Sequence, residues 1–154
     1  MRIIKFSQLS QEQLNILINQ HYNHWSKFSS FMDIKNTEFK FKTLYTKNTL
    51  PFGIALEDNN QIVGFMVLKA ENLKKYPNIT PWFSNLLIFE GHRNKGYGKY
   101  LLSEGEKIFK QLGYNKVYLW TDQAPNYYKK LGYTYLYKVE KNEGGFGDLF
   151  CKDI

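Results

Sequence analysis

Residues Leu86-Leu-Ile-Phe-Glu-Gly-His-Arg-Asn-Lys-Gly-Tyr-Gly-Lys-Tyr-Leu-Leu102 join an apolar run to an amphipathic one through a basic turn. The run from Trp82 to Phe89 suits a buried strand. Beyond the turn, Tyr97, Leu101, Leu102, Ile108, Phe109 and Leu112 recur at helical spacing, and Gly113 is a natural stop. A helix that starts in such a turn offers N–H groups with no intrahelical partner, at the positive end of its dipole. The segment therefore has the composition of an anion cradle. Glycine at 96 and 98 would let the backbone approach phosphate oxygens, because a Cβ there would take their space. Two nucleotide loops do not fit: there is no Gly-Lys-Ser/Thr, and no third glycine for a dinucleotide fingerprint.

Upstream, Phe52-Gly-Ile-Ala-Leu-Glu and Ile62-Val-Gly-Phe-Met-Val-Leu flank the polar tip Asp58-Asn59-Asn60-Gln61, a hairpin signal. Ser10 followed by Gln13 is a capping box for a helix that carries Leu14, Leu17, Ile18, His21, Tyr22 and Trp25 on one stripe. Residues 2–6 read as a short strand and Asn36–Tyr45 as a weaker helix. Ala70–Pro81, with Pro77 and Pro81, reads as a loop. Downstream, Val117–Thr121 predicts a strand and Ala124–Leu131 a short helix ended by Gly132. The tail predicts two strands turning near Gly144-Gly145. The order is strand, two helices, three strands, helix, strand, helix, two strands, which indicates a mixed α/β sheet.

The chain has 154 residues, enough for one domain, and no linker or repeat divides it. Hydrophobic residues at 43% exclude a disordered chain. A formal charge of +7 favours an anionic partner without naming it. No aromatic-basic motif gathers the charge on one face, so nucleic acid is not expected as a partner. Cys151 is the single cysteine, which excludes an intrachain disulfide and a multi-cysteine metal site. His21 and His24 stand at i, i+3 without a third ligand at suitable spacing, so no metal is expected. No apolar run approaches membrane length and the start shows no leader, which points to the cytoplasm by default.

Arg93-x-x-Gly96-x-Gly98, in its strand–turn–helix context, resembles the acetyl-CoA signature of the GNAT (GCN5-related) N-acetyltransferases. Thr80-Pro-Trp-Phe, Leu112-Gly113-Tyr, Val117-Tyr-Leu-Trp-Thr and Tyr128-Lys-Lys-Leu-Gly132-Tyr extend the likeness over roughly residues 52–137. The resemblance implies an α/β (α+β) fold, a mixed, mostly antiparallel sheet flanked by helices, in a single domain over 1–154. It implies acetyl-CoA as cosubstrate, with the backbone of Leu87 and Ile88 pairing with the pantetheine. The N–H groups of Arg93, Asn94, Lys95, Gly96, Tyr97, Gly98 and Lys99 would hold the pyrophosphate. It makes Tyr128 the general acid for the departing coenzyme A thiolate. A phenol with pKa about 10 is protonated at neutral pH and can donate to a thiolate of pKa about 8.5. Tyr127 is the rival, but the spacing to Gly132 favours Tyr128.

The base that would deprotonate the acceptor ammonium is not identified; Glu71, Glu90 and Asp122 lie near predicted strand ends. Asn72 and Glu90-Gly91 depart from the pattern, since relatives often show an acid at the first place and Pro-Glu at the second. Thr121-Asp-Gln-Ala-Pro-Asn126 also lacks the longer loop seen in many members, so acceptor contacts are not carried across. His92 reads as a turn residue, and Cys151, in a predicted final strand, is not expected to be a nucleophile, which favours direct transfer. The expected partner is a small-molecule or peptide amine, with no membrane, and the protein a monomer or homodimer. The alternative is a catalytically silent acyl-CoA-binding sensor or partner module.

Overall fold

A computed structural model describes residues 1–154. Its elements are β1 (Arg2–Lys5), a 3-10 turn (Phe6–Gln8), α1 (Gln11–Trp25), α2 (Ile34–Tyr45), β2 (Phe52–Asp58), β3 (Gln61–Lys69) and β4 (Trp82–Ile88). Then follow α3 (Tyr97–Gln111), β5 (Lys116–Thr121), α4 (Pro125–Lys130), β6 (Thr134–Glu140) and β7 (Phe146–Asp153). The seven strands form one sheet in the order β1-β2-β3-β4-β5-β7-β6. Strand β1 runs antiparallel to β2, and β7 antiparallel to both β5 and β6, while β4 and β5 pair in parallel at Trp82↔Tyr118. This is the mixed, mostly antiparallel sheet with helices that the sequence predicts. The chain folds as two compact units.

The first unit holds Met1–Val67 and Asn85–Leu101. Ser10 Oγ accepts from the Gln13 N–H at 3.1 Å, and Gln13 Oε1 accepts from the Ser10 N–H at 2.9 Å, so the predicted capping box starts α1. Helix α2 begins two residues earlier than its periodicity predicts, because Asp33 caps it through the Lys35 N–H. The β2–β3 turn is made by Asn59 and Asn60 at φ 49° and 61°, which asparagine tolerates better than most residues. Phe6, Phe41 and Phe65 are fully buried and stack or meet edge to face, with Leu14, Leu17 and Leu87 around them. Burying each such ring contributes roughly 1.5–3 kcal/mol. Phe6 leaves the strand predicted for 2–6 and turns into this core.

The second unit holds Leu68–Ser84 and Leu102–Ile154. Leu119↔Phe150 and Val117↔Lys152 set the β5–β7 register, and Leu73, Trp82, Val139 and Leu149 pack as one core cluster. Phe83 meets Phe109 with ring centroids 5.3 Å apart. Helix α3 ends as predicted: Gly113 takes φ 96° and the Tyr114 N–H returns to the Phe109 carbonyl. Leu112 is corrected from a core position to an exposed one, 54% accessible, because the helix stops at Gln111 and the stripe lapses with it.

Gly53 lies in β2 against Phe6, and a Cβ there would fall 2.3 Å from the ring. Gly53→Ala is therefore expected to lower the unfolding free energy by about 1–3 kcal/mol, the usual cost of overpacking. Ser10→Ala should cost about 1 kcal/mol through the lost cap. Urea unfolding measures both, and a Gly53→Ala protein as stable as the parent would contradict this close approach.

Candidate active site

Strand β4 carries the chain into the loop. Its regular course breaks at Asn85, which takes φ 54°, and its end is held to β3 by the Phe89 N–H donating to the Val63 carbonyl at 2.9 Å. Gly64 on β3 permits that approach, since a Cβ there would lie 2.6 Å from the Leu87 carbonyl. Leu87 buries its side chain in the first unit's core. Gly91, Asn94 and Gly96 then take φ 85°, 62° and 82°, three left-handed residues that curl the chain into the start of α3. The first intrahelical donor is the Tyr100 N–H, bonded to the Gly96 carbonyl at 3.0 Å. The N–H groups of Tyr97, Gly98 and Lys99 precede it and have no partner within the helix.

The segment takes the strand–turn–helix course that the sequence predicts, and the reason for its first glycine differs. Gly96 is exposed, with no atom within 4 Å of where its Cβ would be, so its backbone angle requires glycine rather than crowding in the folded chain. Gly98 is buried in the first turn of α3. Asn94, Lys95 and Lys99 are exposed and give the rim two positive charges.

Two side chains brace the loop in ways the sequence does not announce. Arg93 Nε donates to the Ile88 carbonyl at 3.1 Å, so this guanidinium closes the loop onto the strand before it. The Tyr97 hydroxyl donates to Asp58 Oδ2, tying the start of α3 to the end of β2. That hydrogen bond raises the Tyr97 pKa, since ionisation would set a phenolate against a carboxylate. Asn85 was also missed; its Nδ2 is buried without a hydrogen-bond partner. A polar pair, Ser84-Asn85, inside an otherwise apolar strand was the signal available.

In the second unit, Tyr128 stands on α4 with its ring against Tyr127, Tyr133 and Phe150, at centroid distances of 5.2, 5.9 and 6.3 Å. Its carbonyl accepts from the Leu131 and Tyr133 N–H groups, while its hydroxyl takes part in neither bond. Burial, then the neighbouring Tyr127, pushes the Tyr128 phenol well above its ordinary value. Tyr127 is 40% exposed. Of the three acids near strand ends, Asp122 is ion-paired with Lys141 at 3.0 Å, which engages one of its carboxylate oxygens. Glu71 and Glu90 are exposed. Asn72 accepts from Lys69 Nζ at 3.4 Å, and its carbonyl accepts from Asn142 Nδ2 at 2.9 Å. Burial raises the Cys151 thiol, which suits an inert side chain. His21 packs among Trp25, Phe41 and Phe65 in the core.

The family model for the acetyltransferase (GNAT) family matches residues 14–133. The chain belongs to that family. It is an N-acetyltransferase, and the match runs through both units and the whole loop. An aminoglycoside 6'-N-acetyltransferase complexed with coenzyme A superposes with a TM-score of 0.79 at 17% identity, over 99% of this chain and 97% of that one. The ribosomal-protein-alanine N-acetyltransferase from Brucella melitensis gives 0.72 at 13%, over 100% of both chains. The yncA protein of Salmonella typhimurium, with its cofactor acetyl-CoA, gives 0.70 at 16%, over 100% and 92%. These likenesses establish the fold. No curated protein matches by sequence.

Tyr133 is raised as well, first by burial and then by Glu106, to which its hydroxyl donates at 2.8 Å. Both phenols therefore hold their protons more tightly in the folded state than in the unfolded chain. By linkage their contribution is fully present below about pH 10 and is lost as pH climbs beyond it. The melting temperature should fall above about pH 10, and less steeply in Tyr128→Phe, as scanning calorimetry would measure. An alkaline slope identical in the variant would contradict the burial of this phenol.

Proposed function

We propose that residues 1–154 form one N-acetyltransferase domain that moves the acetyl group of acetyl-CoA directly to a primary amine of a small molecule or peptide. The observation that carries the reading is the start of α3, whose first N–H groups have no partner within the helix, reached through a glycine at φ 82° and rimmed by Lys95 and Lys99. Such a helix start suits a pyrophosphate, and the family match covers it. The N–H groups from Arg93 to Lys99 receive that anion, and the ends of Leu87 and Ile88 take the pantetheine. The carbonyl of Ile88 already accepts from Arg93, so its share of that pairing falls to its N–H group.

In this reading the neutral amine nitrogen attacks the acetyl carbonyl carbon, a proton leaves that nitrogen to water, and the C–S bond breaks as the tetrahedral intermediate collapses. Tyr128 gives its phenolic proton to the departing sulfur. Its raised pKa keeps that proton on the oxygen throughout the neutral range, so the acid form is fully populated. The same shift makes the phenol a weaker acid than the thiol, so the transfer runs uphill and is completed as solvent returns a proton to the phenolate. The reaction needs no covalent enzyme intermediate, in keeping with a buried Cys151. No helix is long and apolar enough to cross a membrane. A cytoplasmic setting, as monomer or homodimer, belongs to the same proposal.

A silent acyl-CoA-binding module is the second reading, favoured by the engagement of Asp122 with Lys141 and by an asparagine at 72. Thiol release from acetyl-CoA across a panel of amines, beside coenzyme A binding, separates the two. Acetyl-CoA should raise the melting temperature, and Gly96→Val should reduce that rise through the lost left-handed turn. Tyr128→Phe should lower kcat by roughly 10²–10⁴-fold with coenzyme affinity retained, and Tyr127→Phe should do much less. A Tyr128→Phe enzyme within about threefold of the parent kcat, where chemistry limits turnover, would remove the phenol from the proton transfer.

A further inference from the structure

Asp122 and Trp120 hold a cation in the second unit. Lys141, at the β6–β7 turn, places its Nζ 3.0 Å from Asp122 Oδ2 and 5.8 Å from the centre of the Trp120 ring. Both distances suit an ammonium, since a carboxylate bonds it and the face of an indole attracts it. Gly147 on β7 leaves room for that ring: a Cβ at 147 would fall 2.7 Å from it. Lys141 is held to this place by its turn. Its N–H donates to the Gly145 carbonyl at 2.8 Å, and Gly144 and Gly145 turn the chain at φ 94° and 74°. Asn142 accepts from the Lys74 N–H and donates to the Asn72 carbonyl, each at 2.9 Å, so the turn is tied to the β3–β4 connection. Lys75 on that connection is paired with Glu140 at 2.6 Å, which offsets its charge.

Place narrows the role of this cluster. Strand β5 runs parallel to β4, with Tyr118 beside Trp82, so Asp122 follows the end of β5 at the side of the sheet where β4 leaves for the anion loop. Ligands of such sheets collect beyond the carboxyl ends of parallel strands. Thr121 Oγ1 accepts from the Gln123 and Ala124 N–H groups at 3.3 and 3.0 Å, which turns the chain from Asp122 straight into α4 and Tyr128. An ion pair this open, with Lys141 27% and Asp122 40% exposed, contributes little to stability and yields readily to a competing ammonium. The attacking nitrogen of an acceptor has to be neutral, so the group that competes is a second ammonium on the same molecule. We propose that Asp122 and Trp120 form an ammonium seat for α,ω-diamine acceptors, and that Lys141 occupies it until such an acceptor displaces it. The proposal rests on the acetyltransferase reading above.

The test is steady-state thiol release from acetyl-CoA with putrescine and cadaverine against butylamine, which lacks the second ammonium. The diamines should show kcat/KM at least about tenfold higher. Asp122→Asn should remove that preference, read as a ratio in which any loss common to all three amines cancels, while the acetyl-CoA melting shift is retained. Lys141→Met should lower KM for putrescine by about threefold or more, because no internal ammonium then competes. Lys138→Met, which breaks an exposed pair with Asp148 on the same hairpin, should change neither quantity. Diamines no better than butylamine, a preference kept in Asp122→Asn, or a putrescine KM unchanged or raised in Lys141→Met would overturn the seat. Should no amine be acetylated while acetyl-CoA still raises the melting temperature, the catalytic reading falls by itself. The Trp120 indole N–H resonance, assigned by its loss in Trp120→Phe, then decides the seat: a putrescine-dependent shift that is absent from Asp122→Asn upholds it, and no shift, or one kept in that variant, overturns it.

Discussion

The N–H groups that open α3 impose most of what surrounds them. A helix cannot satisfy its own first donors, and the first bond within this one belongs to Tyr100. To present them, the backbone passes through three left-handed residues within six, which only glycine and asparagine adopt readily. The braces follow from that constraint. Arg93 closes the turn against β4, Tyr97 fixes the helix start to Asp58, and Gly64 lets β3 and β4 approach beneath.

The second unit solves a different problem, which is to keep a phenol neutral. Tyr128 is enclosed by three other rings, and the carbonyl of its own residue is satisfied by the turn that ends α4. Gly132 makes that turn possible at φ 89°, which gives the spacing from Tyr128 to Gly132 a physical meaning beyond likeness to a family. The aromatic residues of the chain are thus put to two uses. In the second unit it raises a pKa, and in the first it builds a core with one open edge.

What could be read in advance was local. The Ser10–Gln13 box, the Asn59-Asn60 tip and the glycine stops at 113 and 132 each act within a few residues, so spacing alone reveals them. What escaped was long-range or directional. Tyr97 and Asp58 are 39 positions apart, and no periodicity joins them. Arg93 enters the sequence reading through its N–H group, and nothing in the spacing shows that its Nε serves the backbone five residues earlier. Leu112 kept the apolar rhythm after its helix had ended, because a periodic pattern does not know where the hydrogen bonds stop. Asn85 was hidden by the apolar residues on either side of it, which made the strand legible and its break illegible.

Cys151 gives the protein a quiet chemical background. It is the only thiol in the chain, it is 8% exposed within β7, and burial keeps it protonated where a free cysteine would begin to react. Aromatic disulfide dyes added to the folded protein will therefore colour with released coenzyme and little else. Colour that grows without any acyl donor reports β7 opening, so one reagent serves both as a turnover counter and as a gauge of local unfolding.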